Sequence, residues 1–233
     1  IWPIEGLGDF EGYPYRDSVP YVELYGIHST KTMLRGTLRN IGWCSTLKKV
    51  ADIGLLDKEE KDWTGYTYES FMRSLMDNPE EPDLRKALAT YLDLEVNSEV
   101  LDRFEWLSLL SDEPVPVEKG GSIDILAARM IEKMSLAEGE RDMIVLQHTF
   151  EAAYPEGHGE RITSTLIDYG IPRGDSAMSR TVGLPPAIGT KLILEGKIDK
   201  SGVYIPVEPD IYLPVLRELK SLNIEFSEKK EDI

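Results

Sequence analysis

Cysteine is almost absent from this 233-residue chain: Cys44 stands alone. No internal disulfide can form, and the expected compartment is a reducing one. Histidine is scarce as well. His28, His148 and His158 lie far from one another and from Cys44 in sequence, which leaves no metal-ligand spacing. No apolar run approaches the roughly 20 residues that span a bilayer. Positive charge is also short, since 26 Lys and Arg against 42 Asp and Glu give a formal net charge of -16 and a pI near 4.7. That balance argues against nucleic acid, which needs a basic face, and equally against an anionic membrane surface. No signal or transit-type leader is recognisable. The chain opens at Ile1 directly in an apolar, glycine-broken pattern, as expected of a piece of something longer.

The common catalytic signatures are missing too. Gly6-Leu-Gly8 is followed by Gly12, which is the wrong spacing for a dinucleotide fingerprint, and no Walker loop is present. Ser45-Thr-Leu-Lys48 matches a Ser-x-x-Lys nucleophile, but its companion motifs are absent. Cys44 has no His beside it to activate the thiol. His148 is a candidate base by residue type alone, and His158 falls in a glycine-rich turn.

What the sequence does have is arginine gathered in one place. Tyr13-Pro-Tyr-Arg-Asp-Ser18 and Arg35-Gly-Thr-Leu-Arg39 bring Arg16, Arg35 and Arg39 within 24 residues. Residues 1–50 are net positive by one, so the remaining 183 hold -17. A guanidinium pairs with a carboxylate through two parallel bonds, which an ammonium cannot match. Arginines concentrated in so acidic a chain suggest a pocket for a small anionic ligand. The plainer alternative is pairing with neighbouring acids on the surface.

Hydrophobic content of 41% with 29% charged residues is that of an ordinary globular protein with ample core. Residues 1–15 read as extended. Ser18 to Tyr25 reads as a short helix capped by Ser18, with Pro20 in its first turn and Gly26 at its end. Thr30 to Arg39 reads as a strand, and Leu47, Val50, Ala51, Leu55 and Leu56 repeat at helical spacing. From residue 57 to about 140 the period is helical throughout, with Phe71, Leu88, Phe104, Ile125 and Met130 on the apolar faces. After Asp142 the pattern returns to strands. Residues 143–150 and 161–169 form a hairpin around a Pro/Gly loop. Helices follow from about Ser176 to Leu194 and from Pro209, and the charged tail 227–233 is expected to fray. The fold class is α+β, with a mixed sheet and an inserted all-helical lobe. The expected domains are 1–60, 61–140 and 141–233.

Six ordered motifs carry a family resemblance. They are Leu7-Gly-Asp-Phe-Glu-Gly-Tyr-Pro-Tyr-Arg-Asp-Ser18, Met33-Leu-Arg-Gly-Thr-Leu-Arg39, Glu105-Trp-Leu-Ser-Leu-Leu-Ser-Asp112, Asp142-Met-Ile-Val145, Ser176-Ala-Met-Ser-Arg-Thr-Val-Gly-Leu-Pro185 and Ile205-Pro-Val-Glu-Pro-Asp-Ile-Tyr-Leu-Pro214. Together they resemble the L-glutamate-forming saccharopine dehydrogenases, including the dehydrogenase half of bifunctional aminoadipic semialdehyde synthases. Tyr15 and Asn40 depart from the family pattern, which usually has Asn and an aromatic residue there.

The resemblance implies the C-terminal, substrate-binding part of an enzyme whose N-terminal Rossmann domain is absent from this chain. It implies oxidation of saccharopine to L-glutamate and aminoadipate semialdehyde with NAD or NADP, in lysine metabolism. It places substrate contacts at Arg16, Thr37, Leu38 and Arg39, with Arg35 as a further candidate because strand alternation puts it on the face of Thr37 and Arg39. Cofactor-binding and metal-binding residues are not expected within this chain, its catalytic residues are left unassigned, and by itself it is expected to be inactive. Its expected partners are saccharopine, the Rossmann domain and a second copy in a homodimer. The expected location is cytoplasmic, or mitochondrial within a bifunctional lysine-degrading enzyme. Two alternatives stay open: a lysine 6-dehydrogenase or carboxynorspermidine-type relative, and a non-catalytic binding or dimerisation module.

Overall fold

The computed structural model describes residues 1–77 and 79–233. The chain separates into two compact units, Ile1–Arg16 with Leu34–Ser135, and Asp17–Met33 with Leu136–Ile233.

In the first unit, β1 (Trp2–Ile4) turns back on β2 (Gly8–Pro14), and β2 pairs with β3 (Gly36–Asn40). Both pairings are antiparallel, with Trp2 opposite Phe10 and Glu11 opposite Arg39. β3 is shorter than the expected Thr30–Arg39 strand, for a reason that lies in its partner. The Tyr15 N–H bond to the Arg35 carbonyl, at 2.9 Å, is the last of the ladder. Arg16 then enters the left-handed region at φ 64°, so residues before Arg35 have no strand to pair with.

α2 (Trp43–Asp52) follows at once, and the helical block is α3 (Tyr68–Ser74), α4 (Leu84–Tyr91), α5 (Glu99–Trp106) and α6 (Ser122–Met134). Its apolar stripes converge as their spacing requires: Tyr68, Phe71, Met72, Leu88, Leu101, Phe104 and Ile125 are fully buried. Trp63 meets Phe71 edge-on at 5.1 Å and donates its indole N–H to the Gly120 carbonyl at 2.8 Å. The only strands in the block among the described residues are β4 (Lys61–Asp62) and β5 (Lys119–Gly120), paired with each other. Val50, Ile53 and Leu55 belong to this same core. The boundary expected near residue 60 therefore runs through one continuous apolar cluster.

In the second unit, α1 (Pro20–Leu24) begins with Val19 at its N-cap. Ser18 does not cap it; its hydroxyl donates to the Met33 carbonyl at 3.1 Å, while Asp17 Oδ1 accepts from Val19 N–H at 3.0 Å. β6 (Met143–Ala153) and β7 (Gly159–Tyr169) form the expected hairpin. α7 (Ala177–Leu194) and α8 (Pro209–Ser221) pack Ile188, Leu192 and Leu219 against Leu166. The tail is not frayed. It forms β8 (Ser227–Asp232), paired with β7 so that Arg161 faces Glu231 and Ile162 faces Lys230. Its sequence, Ser-Glu-Lys-Lys-Glu-Asp, has no apolar alternation because every residue of the strand is exposed; cross-strand charge and the ladder hold it. The expected single mixed sheet is likewise corrected: the named strands form separate sheets, β1-β2-β3, β4-β5 and β6-β7-β8, and every pairing is antiparallel.

Two ionic contacts fix β7 and α7. Asp168 is buried and takes both oxygens to Arg180 Nη1, at 2.9 and 3.0 Å, while Nη2 donates to the Leu222 carbonyl at the end of α8. Arg180→Met would strand a buried carboxylate, which costs about 3–5 kcal/mol. Urea unfolding of the chain should show that loss, and a change below about 1 kcal/mol would contradict it. At the start of α7, Asp142 accepts from the amides of Met178 and Ala177, which hold its carboxyl below the ordinary 3.8. A carboxylate with a lowered folded pKa stabilises the fold above its unfolded value and loses that contribution as pH falls through the folded one. Asp142→Asn should therefore lower stability at neutral pH and flatten the decline on acidification. Denaturation midpoints taken from neutral pH downward should show the two curves converging, and parallel curves would refute it.

Candidate functional site

All five residues expected to meet a ligand lie in the first unit, four of them on the β3 side of the ladder. In an antiparallel pair, bonded and non-bonded positions alternate. The Tyr15–Arg35 bond thus turns the backbone of Arg35, Thr37 and Arg39 toward β2. The amides of Gly36 and Leu38 turn the other way, to the open edge, because β2 is the only strand beside β3 among the described residues. Arg39 reaches back across that edge and donates from Nη1 to the Leu38 carbonyl at 2.7 Å.

Side chains divide by the same alternation. Thr37 and Arg39 stand on one face, across from Tyr13 and Glu11. The Leu38 side chain stands on the other, beside Gly12, where an added Cβ would come within 3.5 Å of Leu38 Cδ2 and 2.5 Å of the Trp2 indole. Gly12 is the floor on which Trp2 lies. Leu38 can therefore share a ligand with Thr37 and Arg39 only through its backbone.

Arg16 and Arg35 sit at one end of the ladder and Arg39 four residues further along, about 13 Å at roughly 3.3 Å per residue. The Arg16 guanidinium lies over the Tyr15 ring at 5.1 Å, and that of Arg39 over the Trp43 ring at 5.8 Å. The nearby acids do not pair with either. Asp17 accepts from Val19 N–H, and Glu11 accepts from the amides of Gly42 and Cys44 at the start of α2. The Cys44 amide, assisted by that of Gly42, holds the Glu11 carboxyl below its ordinary value despite partial desolvation. Burial, then the neighbouring Glu11 carboxylate, push the Cys44 thiol up, which leaves it a poor nucleophile. Sequence reading missed Glu11 and Trp43. The sequence shows a helix start at Gly42 with no side chain to cap it, but Glu11 lies 31 residues away.

Elsewhere the chemistry is thin. Burial lowers the pKa of His148, whose ring stacks on Phe150 at 6.1 Å and tilts against Phe226 at 5.9 Å. Among the described residues no group of three His, Cys, Asp or Glu is placed to hold a metal, and no helix is long and apolar enough to cross a membrane.

Fold and site together describe an α+β domain with an arginine-bearing strand edge. The chain matches the saccharopine dehydrogenase C-terminal domain over residues 1–224, and it belongs to that family. It is 38% identical to the saccharopine dehydrogenase [NADP(+), L-glutamate-forming] of Saccharomyces cerevisiae, over 91% of this chain and 49% of that protein. It is 36% identical to the mitochondrial alpha-aminoadipic semialdehyde synthase of Bos taurus, over 94% of this chain and 24% of that one. The solved structure of the apo, histidine-tagged L-Glu-forming saccharopine dehydrogenase from Saccharomyces cerevisiae superposes with a TM-score of 0.89 at 33% identity. That match covers 99% of this chain and 53% of the other. The chain thus spans about half the length of the dehydrogenases it matches and about a quarter of the synthases.

The NADP(+) in the yeast relative's name raises the question of a nucleotide cradle, and Gly6 and Gly8 do not form one. Gly6 and Gly8, at φ 81° and 91°, serve the tight turn between β1 and β2, and no helix N-terminus follows them to receive a pyrophosphate. Calorimetric titration of the 233-residue chain with NAD(H) or NADP(H) should show no binding at sub-millimolar concentration. A measurable binding heat there would overturn the assignment.

Proposed function

We propose that this chain is the substrate-binding portion of an oxidoreductase that oxidises saccharopine, with a nicotinamide cofactor, to L-glutamate and aminoadipate semialdehyde in lysine metabolism. One observation carries the reading. In a chain of net charge -16, Asp17, next to Arg16 in sequence, and Glu11, opposite Arg39 across the ladder, are bonded to backbone amides instead of to those arginines. The guanidinium charges are left over aromatic rings, with Arg39 making one hydrogen bond to its own strand. The surface-pairing alternative required those acids to be their partners.

Saccharopine carries three carboxylates and a secondary amine, and the edge of β3 suits an elongated ligand of that kind. Arg39 at one end and Arg16 at the other bind carboxylates, with Arg35 as a further cation. Thr37 offers a hydroxyl on the Arg39 face, and the Leu38 amide serves as a donor from the open edge. Arg16 holds a left-handed backbone that a non-glycine residue adopts at a cost of about 1–2 kcal/mol; strain of this kind collects at ligand-binding positions. The nicotinamide is bound by a Rossmann domain outside residues 1–233, and the full-length protein works as a homodimer. We place it in mitochondria if the parent is bifunctional, in keeping with the name of the bovine relative, and otherwise in the cytoplasm.

In the full-length protein, Arg39→Lys and Arg16→Lys keep the charge but lose the two-pronged geometry. Loss of a charge-assisted bond costs roughly 1.5–3 kcal/mol, about ten- to a hundred-fold in KM for saccharopine, with KM for the nicotinamide unchanged. Lys48→Gln is the control, because Lys48 is exposed and paired only with Asp52 one turn on. Lys49 is unsuitable: its ammonium donates to the Leu92 carbonyl at 2.6 Å. Steady-state kinetics in which both arginine variants behave like Lys48→Gln would refute the site.

A further inference from the structure

Glu11 and Arg39 face each other directly across β2 and β3, on the same side of the sheet. Opposite charges in that relation normally pair, yet these do not. Glu11 Oε2 accepts from Gly42 N–H at 3.1 Å, and Oε1 accepts a short bond from Cys44 N–H. These amides open α2, whose N-cap residue, Gly42, brings no side chain of its own. The backbone at position 42 favours glycine. Its φ of 90° is a left-handed conformation that side chains rarely adopt, whereas the Arg103 guanidinium that an added Cβ would meet is the movable end of a side chain. The cap that residue 42 cannot make is supplied from the neighbouring strand. Between the two captured amides stands Trp43, the residue whose ring lies under the Arg39 guanidinium.

We infer that Glu11 is a positioning residue for substrate binding: by capping α2 it fixes Trp43, and Trp43 together with the Leu38 carbonyl holds the Arg39 guanidinium ready for a substrate carboxylate. The inference rests on the reading of Arg39 as a saccharopine contact. Glu11 acts in two ways at once. It pins the first turn that carries Trp43, and its own charge is committed to the helix amides, so that it does not neutralise Arg39. A glutamate released from the cap would be the nearest competitor for the guanidinium that the substrate needs.

The test uses the full-length protein and three substitutions. Glu11→Ala removes both bonds, Glu11→Gln keeps a single acceptor oxygen, and Trp43→Leu removes the ring while leaving the cap. Glu11→Ala and Trp43→Leu should each raise KM for saccharopine about tenfold while kcat and KM for the nicotinamide stay near their original values. Glu11→Gln should fall between Glu11→Ala and the unaltered protein. The double variant Glu11→Ala/Trp43→Leu should be no worse than the poorer single one, because the two residues act in series. A merely structural Glu11 would instead lower kcat and disturb both KM values together, in proportion to lost folded protein. That pattern, or an unchanged KM in Trp43→Leu, overturns the inference. Should Glu11→Ala fail to fold, Glu11→Gln and Trp43→Leu still decide it. If Arg39→Lys raises KM while Glu11→Gln and Trp43→Leu do not, the positioning role alone is wrong. If Arg39→Lys itself has no effect, the saccharopine site and the positioning role fall together.

Discussion

Bonded and non-bonded pairs alternate along an antiparallel ladder, and the Tyr15–Arg35 bond sets that alternation for β2 and β3. The consequences reach every candidate ligand contact. Thr37 and Arg39 share a face, the Leu38 side chain is sent to the opposite one, and the Leu38 amide is turned to the open edge of the sheet. A register shifted by one residue would exchange all of these roles. The left-handed Arg16 directly follows the last bond of the ladder.

A second constraint is electrostatic. Four carboxylates of this chain are bonded to backbone donors at helix starts. Glu11 serves α2, Asp83 accepts from Lys86 N–H in α4, Asp124 accepts from Gly121 N–H before α6, and Asp142 holds the first amides of α7. Helix N-termini favour such anions. The arrangement gives the acidic sequence a structural use. Around β3 it has a further effect, since an arginine beside a glutamate keeps its charge available.

Much of this was legible in the sequence, and the parts that were not have identifiable causes. Helical periodicity located Phe71, Leu88, Phe104 and Ile125 because burial in a helical block depends directly on spacing. The hairpin of β6 and β7 was legible from β-rich runs around a Pro/Gly loop. β8 was not, because an exposed edge strand needs no apolar alternation and Ser227–Asp232 shows none. Ser18 is a good capping residue by type, but its hydroxyl found the Met33 carbonyl fifteen residues away. The candidate arginines came from clustering and from the family motifs. Glu11 was invisible because its partners, the Gly42 and Cys44 amides, lie 31 and 33 residues further on, and only the β2–β3 register brings them together.

The central claim is that the edge of β3, with Arg39 and Arg16, receives the carboxylates of the substrate. A crystal structure of the full-length protein with saccharopine bound tests it most directly. The account predicts one substrate carboxylate within about 4 Å of the Arg39 guanidinium, another on Arg16, and the Leu38 amide donating to the ligand, with Glu11 still bonded to the start of α2. Saccharopine bound with no carboxylate on either arginine would contradict it.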